Sequence, residues 1–260
     1  MKKFICLMFV FFSLCCSCQA ERVKFLQVTD VHLSQTNPQY LKQFVSDVNK
    51  NYIDLDFVVF TGDNIDKPNP KDLLLFLDII KNLNVRPYIL LGNHDLFKSQ
   101  KMTKESYMYL VQKKLGNYHS KNANYVFEKN NIVFIAMNGV KEVIPGANGY
   151  FRQDELVWLD KQLSKYKNKK VVILQHFPLL PTNVANHGLY SQEDYEEVLK
   201  KHHNVISIIS GHYHENREEK VGEIYHIVTK NFQNNTYYKI IEINTDDNMI
   251  YTSLIDNSED

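Results

Sequence analysis

Seven residues of metal-ligating type stand at five places along the chain. They are Asp30 and His32 in TDVH (29–32), Asp63 in TGDN (61–64), Asn93 in LGNHD (91–95), His176 in QHFP (175–178), and His212 and His214 in SGHYH (210–214). Each follows directly on a short apolar run: VKFLQV (23–28), DFVVF (56–60), PYILL (87–91), VVILQ (171–175) and VISIIS (205–210). Taken singly, each motif has an ordinary reading. Asp-x-His after a strand is usually a turn or a helix cap, and Gly-Asp is a common turn dipeptide. Gly-Asn-His-Asp suits a turn with Asn93 left-handed, and His176 beside Pro178 suits a packed loop histidine. Gly-His-x-His is the most specific, because alternate histidines rarely follow a buried strand. Ligands of open α/β sheets gather at the carboxyl ends of strands, and all five runs deliver His, Asp or Asn there. The joint reading is a metal centre of nitrogen and oxygen donors. Seven donors exceed what one first-row ion takes and suit two ions sharing a carboxylate, with room left for water. With no sulfur among the donors, divalent or trivalent Mn, Fe, Zn and Co all fit. Gly62, Gly92 and Gly211 suit sharp exits and close backbone approach.

The elements that must position these residues are legible in the same pattern. Near-continuous apolar runs of this length suit strands buried on both faces of a sheet. Between them, helical periodicity covers 39–50, 71–83, 105–116, 153–166 and 191–203. Pro70 is a first-turn residue, Gly116 a closing cap, and Ser191 with Asp194 resembles a capping box. The segments 124–137 and 221–255 alternate as antiparallel strands do. No repeat or linker divides the chain, so residues 21–260 read as one mixed α/β domain.

The 30 Lys+Arg balance the 30 Asp+Glu, which speaks against long nucleic acid or a polybasic membrane surface as partner. Residues 1–20 stand apart: Lys2 and Lys3 precede the apolar stretch Phe4 to Leu14. That stretch is too short for a transmembrane helix of about 20 apolar residues and reads as a secretory signal cleaved after Ala20. The expectation is an exported protein, periplasmic or secreted. Cys6, Cys15, Cys16 and Cys18 all lie inside this segment, so the remainder has no disulfide, no thiolate ligand and no thiol nucleophile. Alternatively Cys18, after Ser17, carries a lipid and provides membrane contact, although Leu14 is one position too far upstream for the usual lipobox.

The ordered blocks TDVH, TGDN, LGNHD, QHFP and SGHYH resemble the signature of the calcineurin-like metallophosphoesterases. They resemble in particular the branch that includes bacterial cyclic-nucleotide phosphodiesterases, as does FRQDELVWLDKQL (151–163). The resemblance implies a four-layer αββα sandwich of two mixed β-sheets flanked by helices. It implies that Asp30, His32 and His214 hold one ion, that Asn93, His176 and His212 hold the other, and that Asp63 bridges them. His94 would contact the phosphate or protonate the leaving oxygen, and Asp95 would orient His94. The implied reaction is hydrolysis of a small phosphodiester by attack of a hydroxide bridging the ions. A phosphomonoesterase or nucleotide pyrophosphatase with the same centre is the alternative. A non-catalytic scaffold is a further one, against which the complete ligand set speaks. Purple acid phosphatases carry an iron-binding tyrosine where this chain has Asp66, which argues against a tyrosinate–iron site and leaves Asp66 a structural role. Segments 34–40 and 177–190, the latter with Asn183, Asn186 and His187, are candidate pocket walls. His119, His202, His203 and His226 read as surface or packing residues. Tyr213 is expected to point away from the centre because side chains alternate on an extended segment.

Overall fold

A computed structural model describes residues 22–116, 122–232, 234–244, 246 and 249–257. The expected signal at 1–20, with Cys18, and His119 lie outside the described residues. Two mixed sheets are built as the apolar runs require. In chain order the first half forms β1 (Arg22–Val28), α1 (Pro38–Asn51), β2 (Phe57–Thr61), α2 (Pro70–Ile80), β3 (Arg86–Leu90), α3 (Lys104–Leu115), β4 (Tyr125–Lys129) and β5 (Ile132–Ala136). The second half forms β6 (Gly149–Tyr150), α4 (Gln153–Lys165), β7 (Lys170–Leu174), β8 (Leu189–Tyr190), α5 (Gln192–Leu199), β9 (Val205–Ser210), β10 (Arg217–Val221), β11 (Ile224–Val228), β12 (Tyr237–Asn244) and β13 (Ile250–Asp256). One sheet has the order β13-β12-β1-β2-β3 and the other β10-β11-β9-β7-β5-β4; β6 and β8 form a separate two-stranded ladder. In the first sheet β1, β2 and β3 run parallel while β12 joins β1 antiparallel, with Arg22 opposite Asn244.

The period-two geometry of strands explains why the runs are almost continuously apolar. Phe25, Phe57 and Val59 point inward to meet Phe134, Val172, Leu174 and Ile209 of the second sheet. Their neighbours Leu26, Val58 and Phe60 point outward onto α1, α2 and α3. On the second sheet Val133, Ile135, Val171 and Ile173 point outward onto α4 and α5. The layers are thus helix, sheet, sheet, helix, as expected. Phe25 and Phe57 stack at 4.6 Å, and Phe134 meets Phe57 edge-on at 5.2 Å. Truncating such a ring to alanine typically costs about 3–5 kcal/mol. Polar groups cross this interface at several points, Lys239 to Glu218 and Tyr125 to the Ile89 carbonyl among them. Gln27 Nε2 donates to Thr61 Oγ1 (3.0 Å) and to the Ser210 carbonyl (2.8 Å), and its Oε1 accepts from Thr229. It ties the carboxyl ends of β1, β2, β9 and β11 together, at the level where the motif loops begin.

Pro70 and Gly116 stand where the sequence suggests, in the first turn of α2 and at the close of α3. The capping box at Ser191 does not form. Ser191 lies left-handed (φ 53°) and its side chain makes no cap bond, because the chain turns from β8 straight into α5. The segment 221–255 is only partly antiparallel: β11 lies parallel to β9. Among the described residues no helix is long and apolar enough to cross a membrane.

Candidate metal centre

The loops after β1, β2, β3, β7 and β9 converge, and they bring the seven sequence-identified donors together. Asp30, His32 and His214 form one group whose donor atoms lie within 4.8 Å of one another; Asp63, His176 and His212 form a second. Asn93 adjoins the second group, its Oδ1 3.2 Å from His176 Nε2. Asp63 faces both groups. Its Oδ2 is 3.4 Å from His176 Nε2 and 3.9 Å from His32 Nε2, while its Oδ1 accepts the His94 backbone N–H at 2.8 Å.

The backbone is bent hard to achieve this. Asp30, His32, Asp63, His212 and His214 all have φ between 48° and 69°, a left-handed conformation costly for residues with a Cβ. Tyr213 does point away, its hydroxyl donating to the Leu180 carbonyl at 2.9 Å. The reason differs from the one expected: β9 ends at Ser210, and the left-handed His212 and His214, rather than strand alternation, turn Tyr213 outward. Close approach also fixes Gly62, at φ 101°, where an added Cβ would lie 2.6 Å from His176 Nδ1. At Gly211 an added Cβ would collide with the Thr29 hydroxyl.

Hydrogen bonds to the outer ring nitrogens set which inner nitrogens carry a lone pair. His176 Nδ1 is 2.9 Å from the Thr61 carbonyl, so its N–H points there and Nε2 faces Asp63. His212 Nε2 is 3.2 Å from the His187 carbonyl, leaving Nδ1 for the centre. His94 Nδ1 is 2.9 Å from the Asp66 carbonyl, so its Nε2 is free. Thr29 and the His212 backbone N–H both donate to Asp30 Oδ2.

The electrostatics call for a cation. Asp30 and Asp63 are 1% and 2% exposed, and among the described residues their ion-pair partners are histidines alone. Burial raises both carboxyl pKa values, yet the surrounding histidines, His176 first with His214 beside Asp30 and with His32 and His94 beside Asp63, together outweigh it and hold both below the usual range. Burial lowers the His176 pKa, but Asp63 and Asp30 override it and push it up to about 9. His212 is driven down to about 3, by burial first and His176 second, which keeps its lone pair available. Asp30 Oδ1 and His32 Nε2 are buried with no hydrogen-bond partner; His214 Nε2 approaches Asp30 Oδ1 to 3.3 Å without bonding geometry. Buried polar atoms are rarely left unpaired, and two such lone-pair carriers among nitrogen and carboxylate donors fit first-row metal ions.

Asp95 departs from expectation. Among the described residues its carboxylate makes no hydrogen bond to the His94 ring. Its fully buried carboxylate accepts four N–H groups: Asn64 N (3.0 Å) and Ile65 N (3.1 Å) on Oδ1, Gly92 N (2.8 Å) and Asn64 Nδ2 (3.1 Å) on Oδ2. Burial, and then Asp63, push its pKa up to about 7, while the four donors favour the ionised form. Asp95 therefore pegs the loop of Asp63 to the loop of Asn93. Asp66 takes the place next to His94 instead, through its carbonyl and through a carboxylate grouped with His32 and His94. Asn64, whose only sequence signal is its place inside TGDN, is fully buried and also bonds the Leu90 carbonyl and the Tyr107 hydroxyl. Of the candidate walls, 177–190 does adjoin the centre: the His187 ring stacks 5.4 Å from that of His212.

Comparison with known proteins gives a family and a fold match. The family model described as calcineurin-like phosphoesterase matches residues 23–216. A probable glycerophosphodiester phosphodiesterase of Arcobacter nitrofigilis is 30% identical over 164 residues, which are 61% of this chain and 56% of that protein's own length. A 3′,5′-cyclic adenosine monophosphate phosphodiesterase of Haemophilus influenzae is 25% identical over 211 residues, covering 76% of this chain and 72% of that one. In fold, a dimetal phosphatase from Danio rerio superposes with a TM-score of 0.64 at 15% identity, covering 91% of this chain and 99% of that one.

Proposed function

The chain belongs to the calcineurin-like phosphoesterase family, and from that premise we propose that it is an exported enzyme cleaving phosphodiester bonds of small substrates at a centre of two metal ions. The observation that carries this reading is Asp63, whose Oδ2 stands between His176 of one group and His32 of the other. In this reading Asp30, His32 and His214 hold one ion, Asn93, His176 and His212 hold the second, and Asp63 serves both. Ions bound there would offset charge on the phosphoryl oxygens and lower the pKa of a water towards neutrality; Mn, Fe, Zn or Co suits the donors.

The remaining chemistry falls to the chain's own residues. His94 keeps its ring fixed by the Asp66 carbonyl, and in its imidazolium form, with both ring nitrogens protonated, its Nε2–H would meet a phosphoryl oxygen or pass its proton to the leaving oxygen. Asp95 and Asn64 hold the two ligand loops in register. The wall at 177–190 shields the His212 side. The preference for diesters draws on the relatives named above, which carry phosphodiesterase names. Export rests on Lys2, Lys3 and the apolar stretch that follows them.

The test is hydrolysis by the full chain, stripped of metal and reloaded with Mn, Fe, Zn or nothing. An aryl phosphodiester is compared with an aryl phosphomonoester, with Asp63→Ala as control. Metal-dependent diester cleavage that vanishes in Asp63→Ala is expected. Faster monoester cleavage would replace the diester reading with a phosphomonoesterase. Folded protein that binds two ions but turns over neither substrate would favour a scaffold. For export, cell fractionation of the wild type and Cys18→Ser is decisive: uncleaved chain in the cytoplasm would refute it, and release from membranes only in Cys18→Ser would mark a lipid anchor.

A further inference from the structure

The strands whose carboxyl ends carry the metal ligands begin at the opposite pole of the molecule, with Arg22 of β1, Lys170 of β7 and Val205 of β9. A cleft of about 930 Å³ opens at that pole, and Lys167, Lys169, Lys170, Lys201, Lys220 and Met249 are part of its wall. The segments 165–170, 200–203 and 220–223, which contribute these lysines, hold seven lysines and one acid, Glu223. Adding Asp246 and Asp247 from between β12 and β13 still leaves lysine in excess. The even balance of charge over the whole chain averages this concentration away. The helix dipole accounts for Lys165 in the last turn of α4, but not for the three lysines beyond it. Lys169 pairs with Glu128, and Lys220 lies 3.5 Å from Glu223; such exposed pairs contribute little and yield to another anion. On the side of the first sheet, Asp54 is met by Arg22 and Lys24, and Asp56 by Lys129.

Apolar side chains stand out among these charges. Ile53, Val221 and Met249 lie at three separate turns of this pole and are 93%, 49% and 49% exposed. Ile53 adjoins Asp54, and the Met249 carbonyl accepts the N–H of Asn244, the residue opposite Arg22. A nucleic acid has no use for such tips. A bilayer takes them into its acyl boundary while lysines meet the head-group phosphates. The chain also enters the fold here: Cys18 stands four residues before Arg22, and four residues span at most about 14 Å. From Arg22 the seven residues of β1 run about 23 Å at strand rise before the first metal ligands. Attachment of residues 1–21 to a membrane thus brings the lysine pole against the lipid and leaves the metal centre on the far side.

We propose that this pole is a docking surface for an anionic lipid bilayer, and that it holds the metal centre facing away from the membrane. The surface itself is independent of the chemistry at that centre. Its consequence rests on the phosphodiesterase reading above, whose substrates it restricts to diesters that arrive dissolved rather than as head groups of the same membrane.

The full, metal-loaded chain is sedimented with vesicles of phosphatidylcholine alone and of phosphatidylcholine mixed equally with phosphatidylglycerol, at low and at high salt. Stronger binding to the anionic vesicles, reduced by salt, is expected. Lys167→Gln, Lys201→Gln and Lys220→Gln combined, all at exposed positions, should weaken that binding about 100-fold and keep aryl phosphodiester hydrolysis. Residues 1–21, with Lys2 and Lys3, are common to both proteins, so the difference between them reads the lysine pole. Orientation is read without turnover, by acetylating lysines on the vesicle-bound wild type. Lys167, Lys201 and Lys220 should be protected, while the exposed Lys98 and Lys101, in the loop after His94, stay reactive. No preference for anionic vesicles would overturn the proposal, as would equal binding by the triple variant or protection of Lys98 and Lys101 instead. Binding of an RNA oligonucleotide without binding to anionic vesicles would also overturn it. A chain that docks in this way but cleaves no diester would refute the proposed function and leave the docking surface standing.

Discussion

Asp95→Asn separates two roles for the residue next to His94. In the wild type each carboxylate oxygen accepts two N–H groups, from Asn64 and Ile65 on one side and from Gly92 and the Asn64 amide on the other. An asparagine in the same place keeps one oxygen and turns an NH2 towards the other two donors, which then stay buried and unpaired. Hydrogen bonds to a charged acceptor contribute about 1.5–3 kcal/mol each, so two losses amount to about 3–6 kcal/mol. Removing the charge offsets part of this, because burial and the nearby Asp63 already disfavour it. The expected net loss is roughly 2–4 kcal/mol, read as a lower urea midpoint in the metal-stripped protein. The loops of Asp63 and Asn93 lose their common peg, so affinity for Mn or Zn by calorimetric titration should fall by about 10–100-fold. Unchanged midpoint and metal affinity, with turnover alone reduced, would refute the peg and restore Asp95 as the group that orients His94.

Three further outcomes are expected. Asp63→Ala should abolish both bound metal and turnover, whereas His94→Ala should cut turnover by about 10²–10⁴ with metal content unchanged; equal metal loss in the two would contradict their separate roles. Gly62→Ala places a Cβ 2.6 Å from His176 Nδ1 at φ 101°, and should lower stability by about 1–3 kcal/mol together with metal occupancy; a variant with wild-type midpoint and metal content would show that the turn yields freely. Lys239, fully buried on β12, donates to Glu218 at 2.6 Å. Burial raises the Glu218 pKa, but Lys239 and Thr252 outweigh it and hold it below its ordinary value of 4.5. The pair's contribution is therefore complete above that pH and lost as pH falls through the depressed folded value. Lys239→Met should lower stability near pH 7 by about 2 kcal/mol and flatten the acid limb of a urea stability–pH profile; a limb of unchanged slope would show that Glu218 does not report this pair.

The parts that could be read from the sequence are those governed by local pattern. Runs such as FVVF (57–60) and VVIL (171–174) are apolar at every position because both sheet faces are covered, and residues at their ends must emerge together. The hidden parts depend on partners distant in the chain. Asp95 adjoins His94 in sequence, yet its acceptor oxygens are claimed by backbone from 64, 65 and 92. Left-handed backbone is foreseeable at glycine but not at Asp30, His32 or His214, where neighbouring loops impose it. Ser191 has the residue type of a cap and the wrong backbone for one. The strand β10 (REEKV) carries three exposed charged residues in its middle and shows no apolar signature, because it lies at the sheet's edge.

The pairing of β1 with β12 has a consequence for the order of events in synthesis. The strand that leads into Asp30 and His32 has β2 on one side, but its other edge is covered only by residues 237–244, with Arg22 opposite Asn244. A growing chain can therefore complete the first ligand loop's supporting sheet only after residue 244 has been made, and closing so long a loop is intrinsically slow. The donors from β7 and β9 also come late, at 176, 212 and 214. The full donor set therefore exists only once the chain has been made past His214, and if the proposed export holds, the ions of the destination compartment would be the ones to load the centre.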